Sequence, residues 1–231
     1  MVAQPPIAAA TEVTYPDSDG QPMADNTKQF RWIVTIKENL EILYANDPNV
    51  FVAGDLLWYP VEGNNALCQA PDVMVVLGRP KRDRGSYQQW NEENIAPQIV
   101  FEILSPSNTA REMTRKLLFY QQFGVEEYYL YDPENNGLLG SQQVEQKLVE
   151  IAEMQGWVSP RLGIRFVLAG DSLVIYNPDG RPFLTPVELA QQRDQAEQRA
   201  NQAEQRADQA EQRAERLAIR LREMGIDPDA V

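Results

Sequence analysis

The spacing of apolar residues changes several times along the chain and separates helical from strand-like segments. From Thr27 to Asn46 apolar residues recur every three or four positions, which predicts an amphipathic helix. A second helix is predicted over Thr109–Phe123, where Thr109 and Glu112 form a capping-box pattern. Four short apolar runs are typical of strands, the inner ones buried on both faces, at 50–59, 72–77, 99–104 and 128–131. Because the second helix lies between the last two runs, we expect a parallel crossover there.

The flanking segments complete the predicted architecture. Residues 137–184 contain alternating apolar positions and turn signals, and they predict a hairpin or meander that continues the same sheet. The proline-containing residues 1–26 predict an extended N-terminal arm. The fold class is therefore α/β (α+β), with a mixed sheet flanked by helices in a domain at 27–186. A long helix is expected over 187–225, followed by a tail at 226–231.

The C-terminal segment repeats in heptads. Two seams of small and apolar residues alternate at spacings of four and three, the first at Leu189, Ala196, Ala203, Ala210, Leu217 and Met224, the second at Ala200, Ala207, Ala214 and Leu221. This average spacing of 3.5 predicts an alanine-rich coiled coil over 189–224, through which two chains form a homodimer. The alternative is a solubilising single helix, because Ala, Gln, Glu and Arg are strong helix formers.

Composition excludes several classes of enzyme. The chain of 231 residues contains no histidine, which rules out a Ser-His-Asp triad, a Cys-His pair and any histidine base. A single cysteine, Cys68, allows no intrachain disulfide and fits a reducing compartment. With no apolar run of membrane-spanning length and no basic, apolar leader, we expect a cytoplasmic protein. The net charge of −13 disfavours non-specific binding of nucleic acid unless basic residues are clustered locally.

Two carboxylates and one lysine are candidates for chemistry. Glu102 lies at the centre of an apolar run, where an ionised carboxylate is costly unless it is paired or bound to a metal. Asp72 opens a neighbouring run, and carboxylates on adjacent strands can share a Mg²⁺ ion. Lys116 interrupts an apolar helical stripe and either reaches solvent or points toward these acids. For each residue the alternative is a structural role at a strand end or on a solvated helix face.

Basic residues are concentrated at two places. Four of them lie in one loop, and two more flank Lys116, namely Arg79, Lys81, Arg82 and Arg84, then Arg111 and Arg115. Such clusters are what contact with phosphate groups requires in an acidic protein. The alternative is a solvated loop with no ligand.

The stretch from Ala70 to Asp132 resembles the Uma-type restriction endonucleases, a bacterial family in the PD-(D/E)XK nuclease superfamily. The motifs that carry the resemblance are APDVMVVLG, PQIVFEILSPSN and EMTRKLLFYQQFGVEEYYLYDP. The similarity extends with lower specificity over about Tyr15 to Leu189. It implies a restriction-endonuclease-like fold and a metal-dependent endonuclease that uses Mg²⁺ (or Mn²⁺) to cleave nucleic acid, with DNA favoured.

The resemblance also assigns roles to residues. Asp72 and Glu102 match the motif acids that hold the metal, together with the backbone carbonyl of Ile103. Leu104 stands where the motif lysine is expected, and Lys116 on the following helix takes its place, as in relatives whose lysine has moved. Supporting acids are sought at Glu38, Glu41 and Asp55. Because Leu104 departs from the motif, the competing hypotheses are a catalytically silent nucleic-acid-binding module and a coiled-coil interaction protein on the same fold.

Overall fold

The computed structural model describes residues 13–18, 20 and 23–225 and divides the chain into two compact units. The first unit ends at Phe183 and the second begins at Leu184. Within the predicted arm at 1–26, residues 1–12, 19, 21 and 22 lie outside the described residues, as does the predicted tail at 226–231. Of the described part of the arm, Tyr15 packs against Tyr59 and Trp90, with ring centroids 5.2 and 4.8 Å apart.

The first helix, α1 (Thr27–Leu43), begins where the pattern predicts and ends three residues earlier. The Asn26 side chain accepts hydrogen bonds from the backbone N–H groups of Lys28 and Gln29, so it satisfies donors that the first turn leaves free. The apolar side of the helix is fully buried at Ile33, Ile36 and Leu40. This stripe packs on one face of the central sheet and fixes the position of the helix start near the candidate acids.

Ten strands in the described part of the chain form one large sheet and two small ones. In chain order they are β1 (Val50–Gly54), β2 (Trp58–Tyr59), β3 (Val73–Leu77), β4 (Tyr87–Gln88), β5 (Ile99–Ile103), β6 (Glu127–Asp132), β7 (Gly137–Val144), β8 (Lys147–Glu150), β9 (Arg165–Ala169) and β10 (Ser172–Tyr176). The six-stranded sheet has the order β1-β3-β5-β6-β7-β8, and among its pairs only β5 and β6 run parallel. The predicted mixed sheet is therefore confirmed.

The parallel pair is joined by the predicted crossover helix, α2 (Ala110–Phe123). The Thr109 hydroxyl accepts a hydrogen bond from the Glu112 N–H at 3.2 Å and caps the start of the helix. Gly124, at φ 93°, ends the helix in the left-handed conformation that glycine adopts without steric cost. The helix packs on the sheet face opposite α1, through Tyr120 and its neighbours. Its first turns therefore lie beside the end of β5.

Two predictions about strands differ from the structure. The predicted strand at 50–59 is broken at Asp55, which has φ 49°, and its second part pairs with β4 in a separate two-stranded sheet. β9 and β10 do not continue the main sheet, because they pair only with each other among the described strands. Instead, Phe166 packs against Tyr129 of the sheet at 4.6 Å between ring centroids, and the hairpin shares the core on the α1 side.

The second unit contains α3 (Pro186–Glu223), a helix of 38 residues. Thr185 and Glu188 form a reciprocal capping box at its start, and Pro186 occupies the first turn. None of its described residues is buried. Among the described residues, no helix combines the length and the apolar character needed to cross a membrane.

Candidate active site

The two predicted acids lie on neighbouring antiparallel strands. β3 and β5 pair Val73 with Phe101, and one further step of this register sets Asp72 opposite Glu102. Both side chains are buried, at 8% and 1% exposure. Their proximity follows from the strand pairing, which the sequence pattern predicts only in part.

Each acid has hydrogen-bond donors that hold it. Asp72 Oδ2 accepts from the Ile103 backbone N–H at 2.6 Å, across the end of the strand pair. Glu102 Oε2 accepts from Lys116 Nζ at 2.7 Å, and Glu102 Oε1 accepts from the Tyr120 hydroxyl. Lys116 and Tyr120 are one turn apart on α2, so the crossover helix delivers both donors to one carboxylate.

Burial dominates the electrostatics of this cluster. It raises the pKa of Asp72 well above its ordinary value, and the nearby Glu102 carboxylate adds to this effect. Burial also raises the pKa of Glu102, although the Lys116 ammonium opposes it. For Lys116, burial alone lowers the pKa, but the charges of Glu102 and Asp72 outweigh it and raise the pKa. Lys116 is therefore a stable cation that contacts Glu102 and compensates the charges of the two acids only partly.

A polar cavity of about 340 Å³ opens beside this cluster. Asp72 and Lys116 line it, whereas Glu102 is almost fully covered beneath them. Asp55 also lines the cavity, because its left-handed backbone ends β1 and its N–H donates to the Pro71 carbonyl at 3.1 Å. The lining consists of Met23, Ala24, Asp25, Gln29, Asp55, Gln69, Ala70, Asp72, Ser107, Asn108, Glu112, Arg115 and Lys116.

Two residues at the start of α1 complete the site and were not found from the sequence. The Gln29 side chain donates to the Ile103 carbonyl at 2.9 Å and accepts from the Asp25 N–H at 2.8 Å. Asp25 in turn accepts from the hydroxyls of Ser105 and Ser107, and these bonds lower its pKa. The helix start is thereby tied to the loop between β5 and α2. The capping pattern at Asn26 locates this turn, but nothing in the sequence indicates where Gln29 points.

The oxygen donors present are compatible with a divalent metal ion. A carboxylate offers about four lone-pair sites, and the hydrogen bonds that Asp72 and Glu102 accept leave some of these sites free. The Ile103 carbonyl has a second lone pair besides the one that Gln29 uses. No group of three or more acidic or cysteine side chains among the described residues is arranged to hold a metal. Mg²⁺ retains several waters and needs only one or two protein carboxylates, so this donor set fits it.

Glu38 and Glu41 lie away from the cavity. Glu38 forms an ion pair with Lys37 at 3.0 Å, and Glu41 forms one with Lys81 at 3.4 Å. Neither lines the cavity, although both belong to α1. Of the three candidate supporting acids, the structure brings only Asp55 to the site.

The basic loop is folded onto a buried acid. Glu92 is 2% exposed and forms ion pairs with Arg79, Arg82 and Arg84 at 2.7–3.0 Å. Burial alone raises the pKa of Glu92, but the three guanidinium groups outweigh it and lower the pKa to about 2. Lys81 is engaged as well, since its ammonium donates to the Tyr44 carbonyl at 2.7 Å. These four cations therefore have partners inside the protein.

The remaining basic pair lies on α2, near the cavity. Arg111 and Arg115 are exposed and line a depression on α2 together with Thr109 and Glu112. Arg115 also lines the cavity of the two acids. Of the predicted phosphate-contacting residues, the structure thus brings Arg115 to the cavity of the acids, and Arg111 lies in the adjoining depression.

Comparison with known proteins identifies relatives. A protein-family model, Uma2, described as "Putative restriction endonuclease", matches residues 12–171. One similar solved structure is described as "Crystal structure of a putative nuclease belonging to DUF820 from Anabaena variabilis ATCC 29413". It is 16% identical, the alignment covers 58% of this chain and 72% of that chain, and the TM-score is 0.44. No curated protein matches the chain. Because the family model spans more than half of the sequence, the chain belongs to the Uma2 family.

Proposed function

We propose that the protein is a metal-dependent endonuclease that hydrolyses phosphodiester bonds in DNA with Mg²⁺ (or Mn²⁺). One observation carries the proposal. Two buried acids, Asp72 and Glu102, face each other across adjacent strands, and a protonated lysine lies 2.7 Å from one of them at the edge of a polar cavity. Membership of the Uma2 family, whose model is described as "Putative restriction endonuclease", supports the same chemistry.

In this proposal each group of the protein has a separate role in binding the metal or the phosphate. Asp72 and Glu102, with the Ile103 carbonyl, hold the cation, and Asp55 supports it from the cavity wall. Bound there, Mg²⁺ supplies a water of lowered pKa and neutralises charge on the phosphate. Lys116 has three N–H donors, of which Glu102 accepts one. A second donor is therefore available for the phosphate oxygen on which negative charge develops.

Substrate binding is assigned to the arginines of α2. Arg115 lines the cavity and Arg111 lies one turn earlier on the same helix, so both side chains reach phosphates on either side of the bond that is cleaved. The chain has a net charge of −13 and as a whole repels DNA phosphates, so this local pair of arginines supplies the attraction for them. The loop cations around Glu92 are not needed for this role, because they are already paired.

Cleavage and metal binding test the proposal together. Supercoiled plasmid and a labelled RNA are incubated with the full chain and Mg²⁺, Mn²⁺ or EDTA. We expect nicked or linear DNA with either metal, none with EDTA, and at least a 100-fold loss of rate for Asp72→Asn and Glu102→Gln. Glu134→Gln serves as the matched control, because Glu134 is half exposed and pairs with Lys28 away from the cavity lining.

Calorimetry distinguishes a site that binds Mg²⁺ without cleaving DNA from the absence of a metal site. Wild-type protein is expected to bind Mg²⁺ at near-neutral pH, and Glu102→Gln to lose that binding while Glu134→Gln keeps it. Cleavage that EDTA does not inhibit, or that both acid variants retain, would overturn the assignment. Metal-independent binding of DNA without any product would instead support the silent binding module.

We also propose that two chains associate through residues 189–224. The helix α3 has no buried residue of its own, and Leu217 and Met224 are 53% and 65% exposed. Pairing of two such helices covers these side chains, and sedimentation of the full chain over a range of concentrations tests it. A chain that stays monomeric at every concentration would contradict the proposal.

A further inference from the structure

The charges that flank the two seams of α3 follow a regular pattern. Continuing the heptad that the seams define, the position just before the second seam holds Arg199, Arg206, Arg213 and Arg220. The position just after the first seam holds Glu197, Glu204 and Glu211. In coiled-coil terms these are the g and e positions, which border the apolar contact on its two sides. One border of the seam is therefore positive and the other negative.

The helix itself offers these charges few partners. Side chains on one helix interact when they lie three or four residues apart. At those distances Arg199 and Arg206 have only glutamine and alanine neighbours, and Glu204 has no basic neighbour. Pairing along a single helix therefore does not account for the pattern.

A second copy in parallel orientation supplies the missing partners. In a parallel pair, each g residue faces the e residue five positions further along the other chain. Arg199 then meets Glu204 of the other copy, and Arg206 meets Glu211, in both directions across the two-fold axis. In an antiparallel pair g faces g and e faces e, so arginine meets arginine and glutamate meets glutamate. The charges favour one orientation and oppose the other.

The seams allow this pairing from Ala196 onward. Alanine lets two helices approach closely, and Leu217 and Leu221 contribute most of the apolar area near the C-terminal end. Arg193 occupies the second-seam position one heptad before Ala200, so both seams consist of small and apolar residues only from Ala196 onward. Because alanine buries little area, the charge pairs carry a large share of the specificity.

We propose that α3 is the interface of a parallel, in-register homodimer whose orientation is set by the Arg–Glu pairs. The inference deepens the association proposed above and names its geometry. Because the helix follows the globular unit in each chain, both units are tethered at the same end of the paired helices.

Cross-linking reports the orientation. In the full chain, Ala196→Cys puts a thiol in the seam near the helix start, and Gln198→Cys puts one on the outer face as a matched control. Under mild oxidation we expect a disulfide-linked dimer for A196C well above the level for Q198C and for the native chain, which contains only Cys68. In an antiparallel pair the two introduced thiols lie far apart, so the absence of an A196C cross-link in a dimeric protein would overturn the proposal.

Charge reversal tests the pairs themselves. The variant E197R/E204R/E211R makes both borders positive, whereas D194R/D208R/E215R makes the same change in net charge on outward positions. Sedimentation is expected to show dimerisation at least tenfold weaker for the first variant and little change for the second. Mixing the first variant with R199E/R206E/R213E is expected to restore dimers. Equal dimerisation of the two reversal variants would contradict the pairing, and neither measurement depends on nuclease activity.

Discussion

Lys116 Nζ lies 2.7 Å from Glu102 Oε2, although the lysine comes from a helix and the acid from the strand that precedes it. Leu104, two residues after the acid, carries no charge, and the crossover helix supplies the cation instead. The parallel β5–α2–β6 connection makes this possible, because it returns the helix over the end of β5. The Lys116 ammonium therefore reaches Glu102 from the cavity side.

Replacing Lys116 with methionine is expected to damage both activity and stability. The variant keeps the length of the side chain but leaves Glu102 buried without its cation, which costs about 3 kcal/mol in the free energy of unfolding. Cleavage should fall at least 100-fold, since no other group donates to the phosphate from that position. Plasmid cleavage and urea unfolding measure the two effects. Lys147→Met, on an exposed strand position, is the control, and equal losses in both variants would contradict a specific role.

Two neighbouring tyrosines give opposite predictions for the same change. Tyr120 donates its hydroxyl to Glu102, whereas Tyr128 has the one buried side-chain polar atom without a hydrogen-bond partner among the described residues. Their rings lie 5.7 Å apart in one cluster. Tyr120→Phe should destabilise the protein by about 1–2 kcal/mol and slow cleavage roughly tenfold, because Glu102 loses a fixed partner. Tyr128→Phe should leave cleavage unchanged and stability equal or higher.

Denaturant unfolding and initial cleavage rates on the two variants measure this contrast. A metal titration distinguishes an effect on metal binding from a general loss of stability. The metal concentration for half-maximal rate should rise for Tyr120→Phe and stay constant for Tyr128→Phe, because only the first hydroxyl orients a proposed metal ligand. If the two variants have the same stability, cleavage rate and metal dependence, Tyr120 does not position Glu102.

The buried acid of the arginine loop should control stability rather than substrate binding. Glu92→Gln removes the charge that Arg79, Arg82 and Arg84 share and leaves the buried Arg84 guanidinium without its counter-ion, which costs roughly 3 kcal/mol. Glu93→Gln is the matched control, because Glu93 also contacts Arg79 but is 77% exposed, so its loss should be within about 0.5 kcal/mol. Chemical denaturation at pH 7 compares them. Both folded variants should bind DNA nearly as tightly as the wild type.

The pH dependence of this contribution has a definite sign. The folded pKa of Glu92 is lowered to about 2, whereas glutamate in an unfolded chain titrates near about 4.3. Its stabilising effect is therefore complete above the unfolded value and declines as the pH falls toward 2. The difference in stability between wild type and Glu92→Gln should shrink over that window. A difference that stays constant down to pH 2 would contradict the ion-pair account.

Some residues of this site can be predicted from the sequence, because they interrupt a regular pattern, and others cannot. Glu102 and Lys116 interrupt otherwise apolar patterns, so the pattern alone indicates that each lies in an unusual environment. Asp55 leaves no such signal, because a left-handed backbone at a non-glycine residue arises from tertiary packing. Glu92 lies in a polar stretch, NEEN, that suggests an exposed loop, and only the folded chain brings three arginines to it. The helices, by contrast, follow from periodicity and caps and are placed within three residues.

Asp72→Asn should stabilise the metal-free protein while abolishing cleavage. Burial and the neighbouring Glu102 raise the folded pKa of Asp72 well above that of an unfolded aspartate, so the folded state binds the proton more tightly. Stability of the wild type therefore declines as the pH rises from about 4 through the folded pKa. Asparagine has no charge to bury and still accepts the hydrogen bond from the Ile103 N–H. Thermal unfolding in EDTA should show a higher Tm for Asp72→Asn at pH 8 and a vanishing difference near pH 4. Asp171→Asn, at an exposed turn, should match the wild type throughout, and a Tm for Asp72→Asn below wild type at pH 8 would show that the Asp72 charge is compensated within the protein.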